Sequence, residues 1–259
     1  MVRRYRALVV EMTRRELLDR YAGNALGGLW AVAAPLLILA SNVFAFMYIM
    51  RLRLGPQDTG LGYTVYVLSG VVPWIAIGEA LGRAPSAVVG SANLVKQIVF
   101  PSEVLPLKVA LATIPGLLIG IALVVALSAA VGKASLFGLV VLMPIAVAYY
   151  LLLIVGLVYV LSTLGVFFRD LKDIVMILLS AGMFLHPILY PPATVPAWLE
   201  TLFSFSPFSH LIWCFRDALF HGAITMPLSW VISPILGLLL FPIGWRIFRT
   251  MRPTFGNAL

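Results

Sequence analysis

Six long stretches of this chain contain no charged side chain: residues 21–50, 59–78, 109–132, 134–168, 174–199 and 218–245. The hydrocarbon core of a bilayer is about 30 Å thick, so a helix needs about 20 mostly apolar residues to cross it. The composition, 62% hydrophobic and only 11% charged, does not suit a water-soluble domain. The sequence therefore predicts an all-α membrane protein with six transmembrane helices.

The basic residues divide unevenly between the two sides of such a membrane domain. If both termini are cytoplasmic, 14 of the 18 Lys and Arg residues lie inside and 4 lie outside. Basic residues concentrate in cytoplasmic loops, so this orientation is predicted, and the charge requires no nucleic-acid partner. We also expect no cleavable signal peptide, because charged residues run through the first 20 positions.

Short loops leave no room for a soluble catalytic domain, so we predict one membrane domain over residues 1–259. Within it, 1–20 form an interfacial helix, 21–251 the membrane region and 252–259 a cytoplasmic tail. Tyr5 and Val9, with the apolar residues spaced between and after them, share one helical face. The charged remainder predicts a basic amphipathic helix on the inner membrane surface.

Two further segments are predicted to be helical without crossing the membrane. Residues 85–101 are too polar and too short to cross, and favour a short cytoplasmic helix that ends before Pro101. Residues 198–215 are apolar and aromatic but interrupted by Glu200, Pro207 and His210. We expect short re-entrant helices there, at the outer leaflet.

Motifs for catalysis are missing from the sequence. There is no phosphate-binding G-x-x-x-x-G-K-[ST] loop, no H-E-x-x-H zinc motif and no G-x-S-x-G nucleophile motif. Glu79 and Asp217 are the acids at span edges, and neither is central, so an ion-driven carrier gains no support. The expectation is a chain without catalytic residues, bound metal or bound cofactor.

Several blocks of the sequence resemble ABC-2 type export permeases. The blocks are 20–30 followed by Pro35, then 93–106, 167–170, 187–190, and 206–208, where serine stands for the asparagine of the family. The closest subgroup is the exporters of O-antigen, capsule and teichoic-acid chains. The resemblance implies a homodimer with two cytoplasmic ATPase subunits, which bind ATP and Mg. It also implies export of a lipid-linked glycan, on a polyprenyl diphosphate carrier, across the bacterial inner membrane.

The resemblance also assigns a contact with the ATPase. The residues concerned are Asn93, Leu94, Lys96, Phe100, Arg169 and Asp170. Leu94 and Phe100 are expected to pack beneath the helix, whose polar side seats on the partner. The opposite charges of Arg169 and Asp170 are expected to pair with each other or to cap the start of span five.

Aromatic residues are the candidates for the conduit and its outer gate. The channel-lining candidates are Phe44, Tyr48, Phe184 and Tyr190, and the outer-gate candidates are Phe203, Phe205 and Phe208. Rings that stack on sugar faces would let a glycan slide, and a hydrophobic constriction can close a pore by dewetting. Ordinary packing and anchoring in the lipid headgroups are the alternatives for the two sets.

Two other functions stay open at the level of sequence. One is an ABC-2 permease for another cargo, such as a drug or a lipid. The other is an intramembrane glycosyl- or phosphotransferase, against which the missing acidic metal site argues.

Overall fold

Helices make up the regular structure of this protein. The computed structural model describes residues 5–20, 23, 27–51, 53, 60–96, 100–191 and 195–259, and these contain no β-strand. The α-helices are α1 (Arg6–Asp19), α2 (Trp30–Phe44), α3 (Leu61–Arg83), α4 (Ser86–Val89), α5 (Ala92–Val95), α6 (Val104–Leu111), α7 (Ile114–Ala130), α8 (Met143–Phe167), α9 (Leu171–Leu185), α10 (Ala197–Phe205), α11 (Pro207–Arg216), α12 (Pro227–Met251) and α13 (Phe255–Ala258). A helix satisfies its own backbone hydrogen bonds, as a lipid environment requires.

Five helical segments of the described chain are long and apolar enough to cross a membrane. They are Gly27–Met50, Leu61–Arg83, Val104–Ala130, Gly138–Phe167 and Pro227–Thr254. The segment predicted as span five contains α9, which has 15 residues. At about 1.5 Å per residue α9 is about 22 Å long, shorter than a hydrocarbon core of about 30 Å. The fold is therefore all-α as predicted, and the count of six spans stays a prediction.

The last span begins nine residues later than the uncharged run suggested. After α11 the chain forms a π-helical turn, Asp217–His221, and reverses at Gly222, whose φ is 66°. Glycine adopts such left-handed backbone without a steric penalty. Pro227 then occupies the first turn of α12, where a missing N–H costs nothing.

Helix α3 lies at the centre of the bundle. It packs against α7, α8, α9 and α11. In the most apolar stretch of α3, 83% of the residues are buried, against 11% in Gly27–Met50 and 22% in the last span. Many large apolar side chains of α2, α9 and α12 are exposed. Apolar surfaces of this extent face lipid or another protein chain.

Glycines bring α8 and α12 into backbone contact. A Cβ at Gly244 would lie 2.2 Å from the carbonyl oxygen of Gly156, and a Cβ at Gly156 would lie 2.6 Å from the backbone of Leu240. Small residues at such crossings let two membrane helices approach closely. We therefore expect α8 and α12 to move as one unit.

The predicted tail packs back onto the bundle. Residues Arg252–Thr254 form a 3-10 turn that leads into α13. Phe255 is fully buried, and its ring centroid lies 5.2 Å from that of Phe248 and 6.3 Å from that of Phe167. Residues 252–259 thus join the end of α12 to the end of α8.

Candidate coupling site

We call residues 84–103 the coupling segment. The sequence predicted one short helix there, and the structure contains two helices of four residues each, α4 and α5, joined at Gly90 and Ser91. The amide of Gly90 donates to the carbonyl of Ser86, and the amide of Leu94 donates to the carbonyl of Ser91, so each piece is one closed turn. Residues 97–99 lie outside the described part of the chain.

Four of the six predicted coupling residues lie in this segment, and they divide by exposure. Asn93 and Lys96 are exposed, whereas Leu94 and Phe100 are half-buried. Val95 packs partly against the hydrophobic core. This arrangement fits the predicted division into a polar outer side and an apolar inner side. The docking of an ATPase on it stays a prediction.

The start of the coupling segment lies directly on α8. The hydroxyl of Ser162 donates to the carbonyl oxygen of Ala84 at 2.9 Å. One turn further along α8, Gly165 faces Pro85 so closely that an added Cβ would lie 2.1 Å from the carbonyl oxygen of Pro85. Only glycine leaves room for this backbone approach.

The end of the coupling segment is held by α8 and by the end of α12. The hydroxyl of Tyr159 donates to the carbonyl of Glu103 at 2.8 Å. The guanidinium of Arg252 donates to the carboxylate of Glu103 and to the carbonyl of Phe100, each at 3.0 Å. Charge-assisted hydrogen bonds of this kind are stronger than neutral ones. Both ends of the segment are therefore fixed to α8, and the second end is also fixed to Arg252, directly after α12.

Helix α1 bridges the two sides of the coupling segment. Its predicted apolar face is the one that packs, since Val9 is buried and Tyr5 half-buried, and α1 lies against α6. Glu16 on α1 lies 2.9 Å from Lys108, which follows the segment, and 3.8 Å from Arg83, which precedes it.

A second ion pair joins the end of α1 to the central helix. Arg20 donates to Glu79 on α3, and only 5% of the Arg20 side chain is exposed. Neither ion pair was predicted, although Glu79 was singled out as an acid at the edge of a span.

The turn at Arg169 and Asp170 differs from the prediction. Asp170 occupies the N-cap position of α9, but its side chain makes no capping hydrogen bond. Both residues are exposed, and within the described chain no ion pair joins them. The expected pairing or capping is therefore wrong. Arg169 instead lines a pocket with Pro85 and Ser86, so the turn adjoins the coupling segment.

Three of the four candidate channel-lining aromatics are exposed. Phe44 and Tyr48 are 58% and 59% exposed, with ring centroids 5.6 Å apart, and Phe184 is 63% exposed. Tyr190 is half-buried and stacks on Phe203 with a centroid distance of 6.0 Å. The exposed three lie on span one and α9, which leave large apolar surfaces uncovered.

The three candidate outer-gate residues lie in three different environments. Phe203 is fully buried and Phe205 is 81% exposed. Phe208 packs edge-on against Trp74 of α3, with ring centroids 5.9 Å apart. The predicted short helices are present as α10 and α11, but the three rings do not form one cluster within the chain.

Sequence reasoning missed a polar staple beside α10 and α11. The carboxylate of Asp217 is buried and accepts hydrogen bonds from the amides of Thr225 and Met226, at 3.0 and 3.3 Å, and from the indole of Trp230 at 2.9 Å. These contacts fix the loop between α11 and α12. An acid at the edge of a span was the available signal.

A histidine ties α10, α11 and α12 together. Nε2 of His210 lies 2.9 Å from the carbonyl of Ser204, and Nδ1 lies 3.0 Å from the hydroxyl of Ser229. A carbonyl only accepts, so Nε2 carries the proton and Nδ1 accepts from Ser229. Burial holds the pKa of His210 below its ordinary value, although the hydrogen bond to Ser204 opposes that shift.

The uncovered apolar helices and long spans define a multi-pass helical membrane protein. A family model described as ABC-2 type transporter matches residues 7–220. The chain belongs to that family, and membership implies an ABC ATPase as its partner.

Several curated proteins are similar along most of the chain. An O-antigen export system permease protein RfbA of Klebsiella pneumoniae is 26% identical over 259 residues, covering 97% of this chain and 95% of the relative. The protein of the same name from Myxococcus xanthus is 32% identical over 191 residues, covering 74% and 71%. A polysialic acid transport protein KpsM of Escherichia coli is 25% identical over 238 residues, covering 91% and 90%.

Proposed function

We propose that this chain is the membrane-spanning permease subunit of an ABC exporter that carries a lipid-linked polysaccharide across the bacterial inner membrane. The similarity to two kinds of polysaccharide export permease over most of the chain carries the proposal. In this proposal the chain is not an enzyme. Two copies of a separate nucleotide-binding subunit bind ATP and Mg, and hydrolyse the ATP.

The coupling segment suits a contact with that subunit. It presents exposed polar side chains at Asn93 and Lys96, while its ends are held by Ser162, Tyr159 and Arg252. A push on α4 and α5 would therefore pass to α8 and α12. Arg169, whose pocket adjoins the segment, would extend the same docking surface.

A second copy of the chain would complete the conduit. The exposed apolar faces of the span Gly27–Met50 and of α9 need a partner or lipid, and Phe44, Tyr48 and Phe184 lie exposed on those two elements. Stacking on such rings would hold sugars without fixing one register. Phe205, the most exposed of the outer candidates, is the residue proposed for the outer gate. The division of 14 basic residues inside and 4 outside supports cytoplasmic termini.

Export by the reconstituted complex tests the proposal. Vesicles that hold the permease and its ATPase should export a lipid-linked polysaccharide only when ATP is supplied. Replacement of Leu94 and Phe100 by alanine should reduce export and substrate-stimulated ATP hydrolysis together, while the protein still inserts into the membrane. Transport of a drug or a lipid without any polysaccharide would overturn the proposed cargo, and unchanged coupling in the variant would overturn the docking role.

A further inference from the structure

A charged cavity of about 550 Å³ lies between α1, α3, α6 and α9. Its volume is typical of a site for a small ligand. The charged side chains that line it are Arg83, Lys108, Lys172, Glu16 and Glu79. The cavity borders the coupling segment, because Ser86, Ala87, Gly90 and Ser91 also line it.

The two carboxylates of this cavity are already occupied by cations. Glu16 lies 2.9 Å from Nζ of Lys108, and Glu79 pairs with Arg20. Arg20 and the lining cations together outnumber the carboxylates four to two. The cavity therefore has an excess of positive charge and suits an anion with about two negative charges, such as a diphosphate with both ends esterified.

Lys172 is the cation of the cavity with the least structural role. It is exposed on α9, and in the described chain it makes no hydrogen bond or ion pair. Arg83 is also exposed, and its contact with Glu16 is long, at 3.8 Å. The ammonium group of Lys172 and the guanidinium group of Arg83 are therefore available to a ligand.

An apolar groove of about 220 Å³ continues from the charged cavity. It lies between α2, α3 and α7, and Glu79 lines both spaces. Val72, Ala76, Glu79 and Arg83 follow one another along one face of α3, at the spacing of helix turns. The same face of α3 thus runs from the apolar groove into the charged cavity.

We propose that the charged cavity binds the diphosphate of the lipid-linked chain, with the hydrocarbon of the carrier lying in the apolar groove. The inference rests on the proposed function, because it assigns a place to one part of that substrate. Two observations favour a diphosphate over the single phosphate of a membrane phospholipid: the excess of positive charge, and a volume that admits a sugar beside it. Ser86 and Ser91 line the cavity and offer hydroxyls to such a sugar.

Binding of farnesyl diphosphate to the detergent-solubilised permease–ATPase complex tests the site directly. Replacement of Lys172 by glutamine should weaken binding by about fivefold or more, and Lys108→Gln should do the same. Arg249→Gln is the matched control, because Arg249 is exposed at the end of α12 and does not line the cavity. Phosphatidylglycerol should not displace the bound diphosphate.

The outcomes separate this site from the proposed function. Equal affinity of wild type and Lys172→Gln would overturn the site even if polysaccharide export were observed. Displacement by phosphatidylglycerol at the same concentration would identify an ordinary phospholipid site and also overturn the inference. If export of polysaccharide failed while binding kept its dependence on Lys172, the proposed function would be wrong and the site would stand. Lys172 makes no hydrogen bond or ion pair among the residues that the structure describes, so loss of folding does not obscure its result.

Discussion

Gly165→Ala should separate the coupling segment from α8. The new Cβ would lie 2.1 Å from the carbonyl oxygen of Pro85 and 2.6 Å from its Cα. A carbon and an oxygen normally approach to about 3.3 Å, so the segment must move by about 1 Å. The neighbour is backbone, so no side-chain rotation relieves the overlap. Overpacking of this kind costs about 1–3 kcal/mol, which the better helix propensity of alanine offsets by about 1 kcal/mol.

The expected result is a larger loss of coupling than of stability. The free energy of unfolding, measured by thermal unfolding, should change by no more than about 2 kcal/mol. Substrate-stimulated ATP hydrolysis and export should both fall clearly. Gly256→Ala is the control, since a Cβ there meets nothing within 4 Å. If Gly165→Ala exported polysaccharide at the wild-type rate, the contact with Pro85 would have no part in coupling.

Three further predictions concern the polar contacts. Arg252→Gln should lower export by loosening Glu103, at a cost of only about 1 kcal/mol because the Arg252 side chain is 40% exposed; a wild-type export rate would contradict this. Asp217→Asn should cost about 2 kcal/mol in chemical unfolding, since the amide replaces a buried charged acceptor; unchanged stability would refute the staple. Folding lowers the pKa of His210, so the contribution of neutral His210 to the free energy of unfolding should be complete above about pH 6.5 and decline as the pH falls below that. A His210→Gln variant whose stability has the same pH dependence as the wild type would exclude this contribution.

The spans were predictable because the absence of charge follows directly from the cost of placing charge in lipid. Their ends were less so. The run 218–245 has no charge, yet it contains a π-helical turn, the left-handed Gly222 and the start of α12 at Pro227. Hydropathy does not distinguish apolar residues in a turn from those in a helix. The same limit applies to α9, which stops at Leu185 although the uncharged run continues.

A short helical segment that does not cross the membrane was predicted over residues 85–101, and the structure has two short helices there. The role of this segment in coupling stays a prediction, and its attachments were not foreseen. Its polarity and bounding prolines distinguish it from a span. Its attachments are mostly hydrogen bonds accepted by its own backbone carbonyls, those of Ala84, Phe100 and Glu103. A further attachment is the close backbone contact of Pro85 with Gly165. Every residue has a carbonyl, so the sequence gives no sign of which one accepts a distant hydroxyl or guanidinium.

These attachments determine which parts of the chain can move relative to one another. The coupling segment is fixed at both ends to α8, and α8 contacts α12 through backbone at Gly156 and Gly244. A displacement of α4 and α5 is therefore not absorbed locally, and α8 with α12 should follow it. Span one packs much less tightly against the rest of the chain, since only 11% of the residues in its most apolar stretch are buried. We therefore expect transport to widen the conduit by moving α8 and α12 against α2, and not by bending the coupling segment itself.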